Sequence, residues 1–143
     1  MVRSSSLKNK LLALLLAIAR WKRLQRLVAR VYQPVYRMLP VDRLGENAHW
    51  TAFHHPQPNY PLHILILPGS AIPTLLAAPG SDPTVYAALF QLVNQLIQDF
   101  NLEQRGYRLI TNGGPYQSIP IWHWHLVSEA SSQDAADPGD SYD

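Results

Sequence analysis

Apolar positions along the chain follow two rhythms. From Leu7 to Tyr32 they recur at helical spacing, through the run Leu11–Ala19 (LLALLLAIA) and on through Trp21, Leu24, Leu27, Val28 and Val31. Lys22, Arg23, Arg26 and Arg30 fall largely on other faces. This predicts one basic amphipathic helix over 7–32, closing before Pro34, because proline removes a backbone donor and disfavours helix at the residue before it. Pro40 and the segment Asp42–Asn47 read as a connector. Further on, the rhythm changes to short apolar blocks punctuated by proline and glycine. Trp50–Phe53 predicts a short strand, His54–Pro61 (HHPQPNYP) a proline-rich turn, and Leu62–Leu67 (LHILIL) a buried strand stopped by Pro68-Gly69. Asp82-Pro83 is a helix start, an Asp cap followed by proline at the first helical position, where its missing N–H costs nothing. That helix runs to about Phe100 and buries Val85, Leu89, Leu92, Val93, Leu96 and Ile97. Tyr107–Thr111 and Ile119–Val127 predict two more strands, joined by the loop Asn112–Tyr116 (NGGPY). Strands before and after one helix, with short turns, indicate an α+β domain with a mainly antiparallel sheet.

Charge divides the same chain into three zones. The total is 12 basic against 10 acidic side chains. Residues 1–42 hold nine basic side chains and a single acid, Asp42, for +8; residues 43–129 sum to −2; residues 130–143 carry Asp134, Asp137, Asp140 and Asp143 alone, for −4. The zones predict a basic helical arm with its connector (1–42), one folded domain (43–129) and an acidic disordered tail (130–143). The absence of cysteine excludes disulfides, a thiolate nucleophile and thiolate-held metals, and fits a reducing compartment.

The nine-residue apolar run is too short for a bilayer span, which needs about 20 residues. It mimics a signal peptide, with Ala17-Ile18-Ala19 as the cleavage box, but Arg20, Lys22, Arg23, Arg26 and Arg30 directly behind it oppose translocation. The expectation is a cytoplasmic protein, peripheral to a membrane if the arm binds one. Two readings of the arm stay open: it suits an anionic membrane surface or a partner groove, and it equally suits packing on its own domain with its arginines in water. Nucleic acid is disfavoured, since aromatic interleaving is limited to Trp21 and Tyr32.

All six histidines lie between His49 and His125. On the predicted last strand His123 and His125 alternate onto one face while Trp122, Trp124 and Leu126 take the other. Two imidazoles behind a glycine-rich loop are suited to handling a phosphate. They are also possible metal ligands, but no third ligand of suitable spacing is evident, so neither a metal nor a cofactor is expected.

The stretch Gly106-Tyr107-Arg108-Leu109-Ile110-Thr111-Asn112-Gly113-Gly114, then Gln117-Ser118, then His123-Trp124-His125-Leu126-Val127, resembles the histidine triad (HIT) family, most closely its nucleotide-binding HINT branch. Ala52-Phe53-His54 and Leu62–Pro68, with His63, resemble the family's first strand pair, so the resemblance spans roughly residues 48–128. It implies a HIT-like fold, a homodimer with the central helix and a sheet edge at its interface, and a nucleotide substrate. It further implies His123 as nucleophile on the α-phosphorus, His125 on the phosphoryl oxygens, Ser118 on the bridging atom or leaving group, Asn112 on a phosphate oxygen, Gln117 beside the substrate, and His63 supporting the imidazoles. The chain departs from the family pattern at two of these places. Ile121 occupies the first triad position, and His55 stands where the family's acidic residue binds the ribose hydroxyls. The function expected is a nucleotide phosphohydrolase or transferase of the nucleoside phosphoramidase kind, working through a nucleotidyl-histidine. The alternative is a catalytically weakened nucleotide-binding or scaffold protein, recruited to a membrane by its arm.

Overall fold

The computed structural model describes residues 3–19 and 25–130. The elements run α1 (Arg3–Ala19), α2 (Gln25–Met38), β1 (Arg43–Glu46), β2 (Trp50–His54), β3 (Leu62–Pro68), α3 (Pro83–Asp99), α4 (Leu102–Arg105), β4 (Arg108–Thr111) and β5 (Trp124–Ser128). The five strands form one sheet in the order β1-β2-β3-β5-β4, antiparallel at every pairing. The fold is α+β, as the strand–helix–strand pattern implies.

Helix α3 begins where the Asp82-Pro83 pair places it. The Asp82 carboxylate accepts the Thr84 N–H at 3.0 Å, and Pro83 opens the helix. Its apolar side, Val85, Leu89, Leu92, Val93, Leu96 and Ile97, lies on one sheet face against Trp50, Ala52, Ile64, Ile66, Trp122 and Leu126. The indole N–H of Trp50 donates to Val85 O at 2.8 Å and is thereby satisfied, whereas that of the neighbouring Trp122 has no partner among the described residues. The turn between β1 and β2 is tied to the same helix by Asn47, whose amide donates to Ala88 O at 2.8 Å while its oxygen accepts the N–H groups of His49 and Trp50.

The predicted connector is in part a strand. Residues Arg43–Glu46 pair with β2 across a register shift between Arg43 and Gly45, and Gly45 sits where a Cβ would stand 2.7 Å from Leu92 Cδ1. Only Leu44 in this strand packs on the core, so no apolar alternation announces it.

The last strand begins at Trp124, not Ile119. Pro120 has no N–H to give a ladder, and the N–H of Trp122 is diverted to Ile72 O at 2.7 Å. Residues 119–123 therefore run as a loop that delivers Ile119 and Ile121 to the sheet's second face.

That face is where the arm sits. Leu12 and Tyr32 join Phe53, Leu65, Leu67, Ile119 and Ile121 in one buried apolar cluster. The Tyr32 hydroxyl donates to Pro68 O, and the Gln33 amide donates to Gly69 O. Lys8 meets Asp42 at 3.1 Å. In place of one helix closing before Pro34, two helices are described, and α2 continues through Pro34 to Met38. Proline forfeits one helical hydrogen bond, and the anchors Tyr32 and Tyr36, on either side of it, hold the helix to the sheet regardless. Residues 20–24, including Trp21 and Leu24, and the acidic tail from residue 131 lie outside the described residues. No described helix is long and apolar enough to cross a membrane.

Candidate active site

Four of the six histidines converge on the face that the arm partly covers. His125 on β5 pairs in register with Leu65, His63 on β3 with Val127, and His55 follows directly on β2, its N–H reaching His63 O at 2.8 Å. His123 lies just before β5, and its ring meets that of His125 edge-on with centroids 4.9 Å apart. His55 stacks on His63 at 4.2 Å and lies 5.9 Å from His125. His54 points elsewhere: it is exposed and meets Phe100 edge-on.

Backbone groups fix the proton on each ring. His123 Nδ1 lies 2.6 Å from Ile121 O, and a carbonyl only accepts, so Nδ1 carries the hydrogen and Nε2 keeps a lone pair. The proline-rich turn sets the others. The N–H of Asn59 donates to His63 Nδ1 at 3.2 Å, leaving the hydrogen of that ring on Nε2, which donates to His125 Nδ1 at 2.9 Å. His125 in turn holds its own hydrogen on Nε2. The N–H of Gln57 donates to His55 Nδ1 at 3.1 Å, so His55 also offers an Nε2 hydrogen.

The rings of His123, His63 and His125 are neutral at pH 7. Burial pushes His123 below the usual histidine range, partly offset by its bond to Ile121. Burial also lowers His63, and it pushes His125 down to about 3, helped by the neighbouring charges that His123, His63 and His55 would carry. His125 is therefore a dipolar N–H donor, not a cation, until an anion arrives to raise it.

A cavity of about 220 Å³ opens beside the cluster, lined by His63, His125, Asn112, Asn59 and Tyr60 among others. Asn112 thus shares a cavity with two of the imidazoles. Ser118 is exposed on the loop before β5. Gln117 spends its amide hydrogens on Pro73 O at 2.6 Å and Ile119 O at 2.9 Å, which pins that loop to the segment after β3. Gly114–Tyr116 form one tight turn in which Gly114 takes a φ of 55°, and the N–H groups of Tyr116 and Gln117 close the turn itself. Two contributors were not legible from residue spacing. Tyr60 stands edge-on to His63 at 5.5 Å with the Arg108 guanidinium over its ring, and Ile121 acts through its carbonyl.

The fold brings His55 and His63, both distant in sequence, to His125: the three have ring nitrogens within 4.8 Å of one another. A metal lies in the plane of each ring that binds it, and the planes of His55 and His63 are stacked only 16° from parallel. Their lone pairs do not converge, so these three would hold a zinc ion only after His55 turned.

Comparison with known proteins follows the same outline. The HIT domain model matches residues 37–132, leaving α1 and nearly all of α2 outside it. A HIT-like protein of Chlamydia pneumoniae is 27% identical over 89 residues, 62% of this chain and 80% of that protein. The purine nucleoside phosphoramidase of Escherichia coli K12 is 26% identical over 92 residues, 64% of this chain and 77% of the enzyme. A HIT family hydrolase from Legionella pneumophila superposes with a TM-score of 0.63 at 25% identity, covering 71% of this chain and 93% of its own.

Proposed function

The chain belongs to the HIT family, and from that premise we propose that it is a nucleotide hydrolase in which His123 attacks the α-phosphorus of a nucleoside phosphoramidate or related nucleotide. The observation that carries the reading is the Nδ1 bond from His123 to Ile121 O, which leaves Nε2 unprotonated at neutral pH and fixes the ring. In the first step Nε2 forms a bond to phosphorus as the P–N bond to the leaving amine breaks, and the amine departs after taking a proton. The His125 Nε2 hydrogen serves the phosphoryl oxygens, where negative charge grows, and His63 holds His125 in the required tautomer at 2.9 Å. Asn112 binds a phosphate oxygen from the wall of the cavity, and Ser118 serves the leaving group. Water then attacks the nucleotidyl-histidine, releasing the nucleoside monophosphate and restoring Nε2.

His55 modifies the ribose end of this reading. Its Nδ1 is occupied by Gln57 N–H, so it meets a ribose hydroxyl as a donor through Nε2, where a carboxylate would accept from two hydroxyls. Loss of the first triad histidine leaves the nucleophile's anchor untouched, because that anchor is the carbonyl of residue 121 and not its side chain.

The direct test is intact-mass spectrometry of protein quenched during turnover of adenosine 5′-phosphoramidate. A nucleotidyl adduct mapping to His123, with adenosine monophosphate released in solution, is expected. Release of the monophosphate at the same rate by His123→Ala would sink the reading.

A further inference from the structure

We propose that α1 and α2 form a docking surface for an anionic lipid membrane. On α2 the side facing the protein is already fully engaged, with Tyr32 only 8% exposed and bonded to Pro68 O, and Tyr36 bonded to Thr51. A separate row, Leu27, Val31, Val35 and Met38, recurs every three or four residues and faces water, Met38 at 80% exposure. On α1 the same division holds: Leu12 is buried in the apolar cluster while Leu7, Leu11 and Leu14 are exposed in a row. Seven of the twelve exposed large apolar side chains among the described residues lie on these two helices, and all of them but Met38 fall outside the residues that the HIT domain accounts for. A row of this kind costs solubility unless something covers it.

Charge selects what covers it. Residues 1–41 carry nine basic side chains and no acid. Arg26, Arg30 and Arg37 are exposed on α2 at spacings of four and seven, one row beside the apolar stripe, and Lys10 is exposed on α1. With the stripe lowered to the acyl boundary, the guanidinium groups extend to the lipid phosphates. A second copy of the chain would bring like charge against like charge. Nucleic acid would leave the aliphatic row unused, and of the two aromatics of α2, Tyr32 is buried and Tyr36 is half-buried and bonded to Thr51. An anionic bilayer satisfies both rows at once.

The test is flotation of the full-length protein with vesicles of phosphatidylglycerol and phosphatidylcholine, against vesicles of phosphatidylcholine alone. Binding to the mixed vesicles and not to the neutral ones is expected. Changing Leu27, Val31 and Met38 together to Gln should weaken partitioning at least tenfold, and changing Arg26, Arg30 and Arg37 together to Gln should weaken it roughly a hundredfold, at about fivefold per arginine near the surface. All six positions are exposed, so thermal melts should match the wild type, and hydrolysis of the phosphoramidate is measured separately on the same samples. Four results overturn the proposal: no flotation of the wild type; flotation of both variants equal to that of the wild type; sedimentation showing that the stripe is buried between two copies and that its Gln variant dissociates them; or retention on duplex DNA in place of vesicles, lost with the arginines.

Discussion

The two faces of the sheet are covered by different parts of the chain and do different work. Under α3 the face is continuously apolar, from Trp50 and Ala52 across Ile64 and Ile66 to Leu126; the indole N–H of Trp50 is closed by Val85 O, while those of Trp122 and Trp124 find no partner among the described residues. The opposite face is divided. One half, Phe53, Leu65 and Leu67, is sealed by Leu12 and Tyr32 from the arm, and the other carries His55, His63, His123 and His125. Ile121 sits on the seam. Its side chain, 2% exposed, belongs to the apolar cluster shared with the arm, while its carbonyl holds the His123 ring. Residue 121 is thus apolar where it meets the arm, and the apolar cover supplied by α1 and α2 is what suits it.

The contrast is broken most sharply at two adjacent residues that face opposite ways. His123→Ala removes the proposed nucleophile, and its kcat should fall by about 10⁴-fold or more, with adduct formation abolished. Trp122→Ala, on the α3 side against Trp50 at 5.4 Å, should cost about 3–5 kcal/mol in urea denaturation. Protein that remains folded should keep its kcat. A large kcat loss in folded Trp122→Ala would mean that the α3 face reaches the chemistry and the division is false.

Acid separates the faces next. The depressed pKa values of His125, His123 and His63 belong to the folded state, while in the unfolded chain each returns to about 6.5. Below 6.5 the unfolded chain takes up protons that these buried rings refuse. Stability is therefore complete above pH 6.5 and declines as pH falls toward about 3, the value for His125. Each ring contributes a slope of up to about 1.4 kcal/mol per pH unit. Urea midpoints should follow that decline, and His125→Asn should flatten it. By the same sign, kcat/KM should hold to below pH 6.5, because His123 stays unprotonated there; a fall beginning above pH 6.5 would contradict the burial argument.

How far the sequence alone could go follows the same division. The α3 face was readable because it is local: the Asp82-Pro83 cap and the apolar spacing from Val85 to Ile97 specify the helix without reference to anything else. The candidate site was readable in its residue types, since His123, His125, His63 and Asn112 do come together. Its proton arrangement was not, because that depends on N–H groups from a proline-rich turn and a carbonyl at Ile121. The strand β1 escaped notice because pairing, not patterning, makes it, and the late start of β5 rests on a long-range bond from Trp122 to Ile72. Which row of the arm packs on the domain was hidden for a related reason: α2 meets the sheet through tyrosines, and its aliphatic row, the feature that periodicity detects, faces outward.

That last point yields the smallest and most discriminating change. Tyr32→Phe keeps the ring in the apolar cluster and deletes only the hydroxyl that donates to Pro68 O. Pro68 closes β3 and is fully buried, so its carbonyl has no ready access to water and the loss should cost about 1 kcal/mol. If the arm unfolds together with the sheet, the whole cost should register in the urea midpoint. If the arm opens on its own, the midpoint should barely move and cleavage by trypsin at Arg26 or Arg30 should speed up about fivefold, the factor that 1 kcal/mol implies for a local opening. In that second case a slight decline in kcat at unchanged KM should accompany the faster cleavage, since Ile121 loses cover whenever the arm is away and its carbonyl then holds His123 less firmly. An arm that opens without any change in kcat would separate the two roles of Ile121, leaving its carbonyl to act alone.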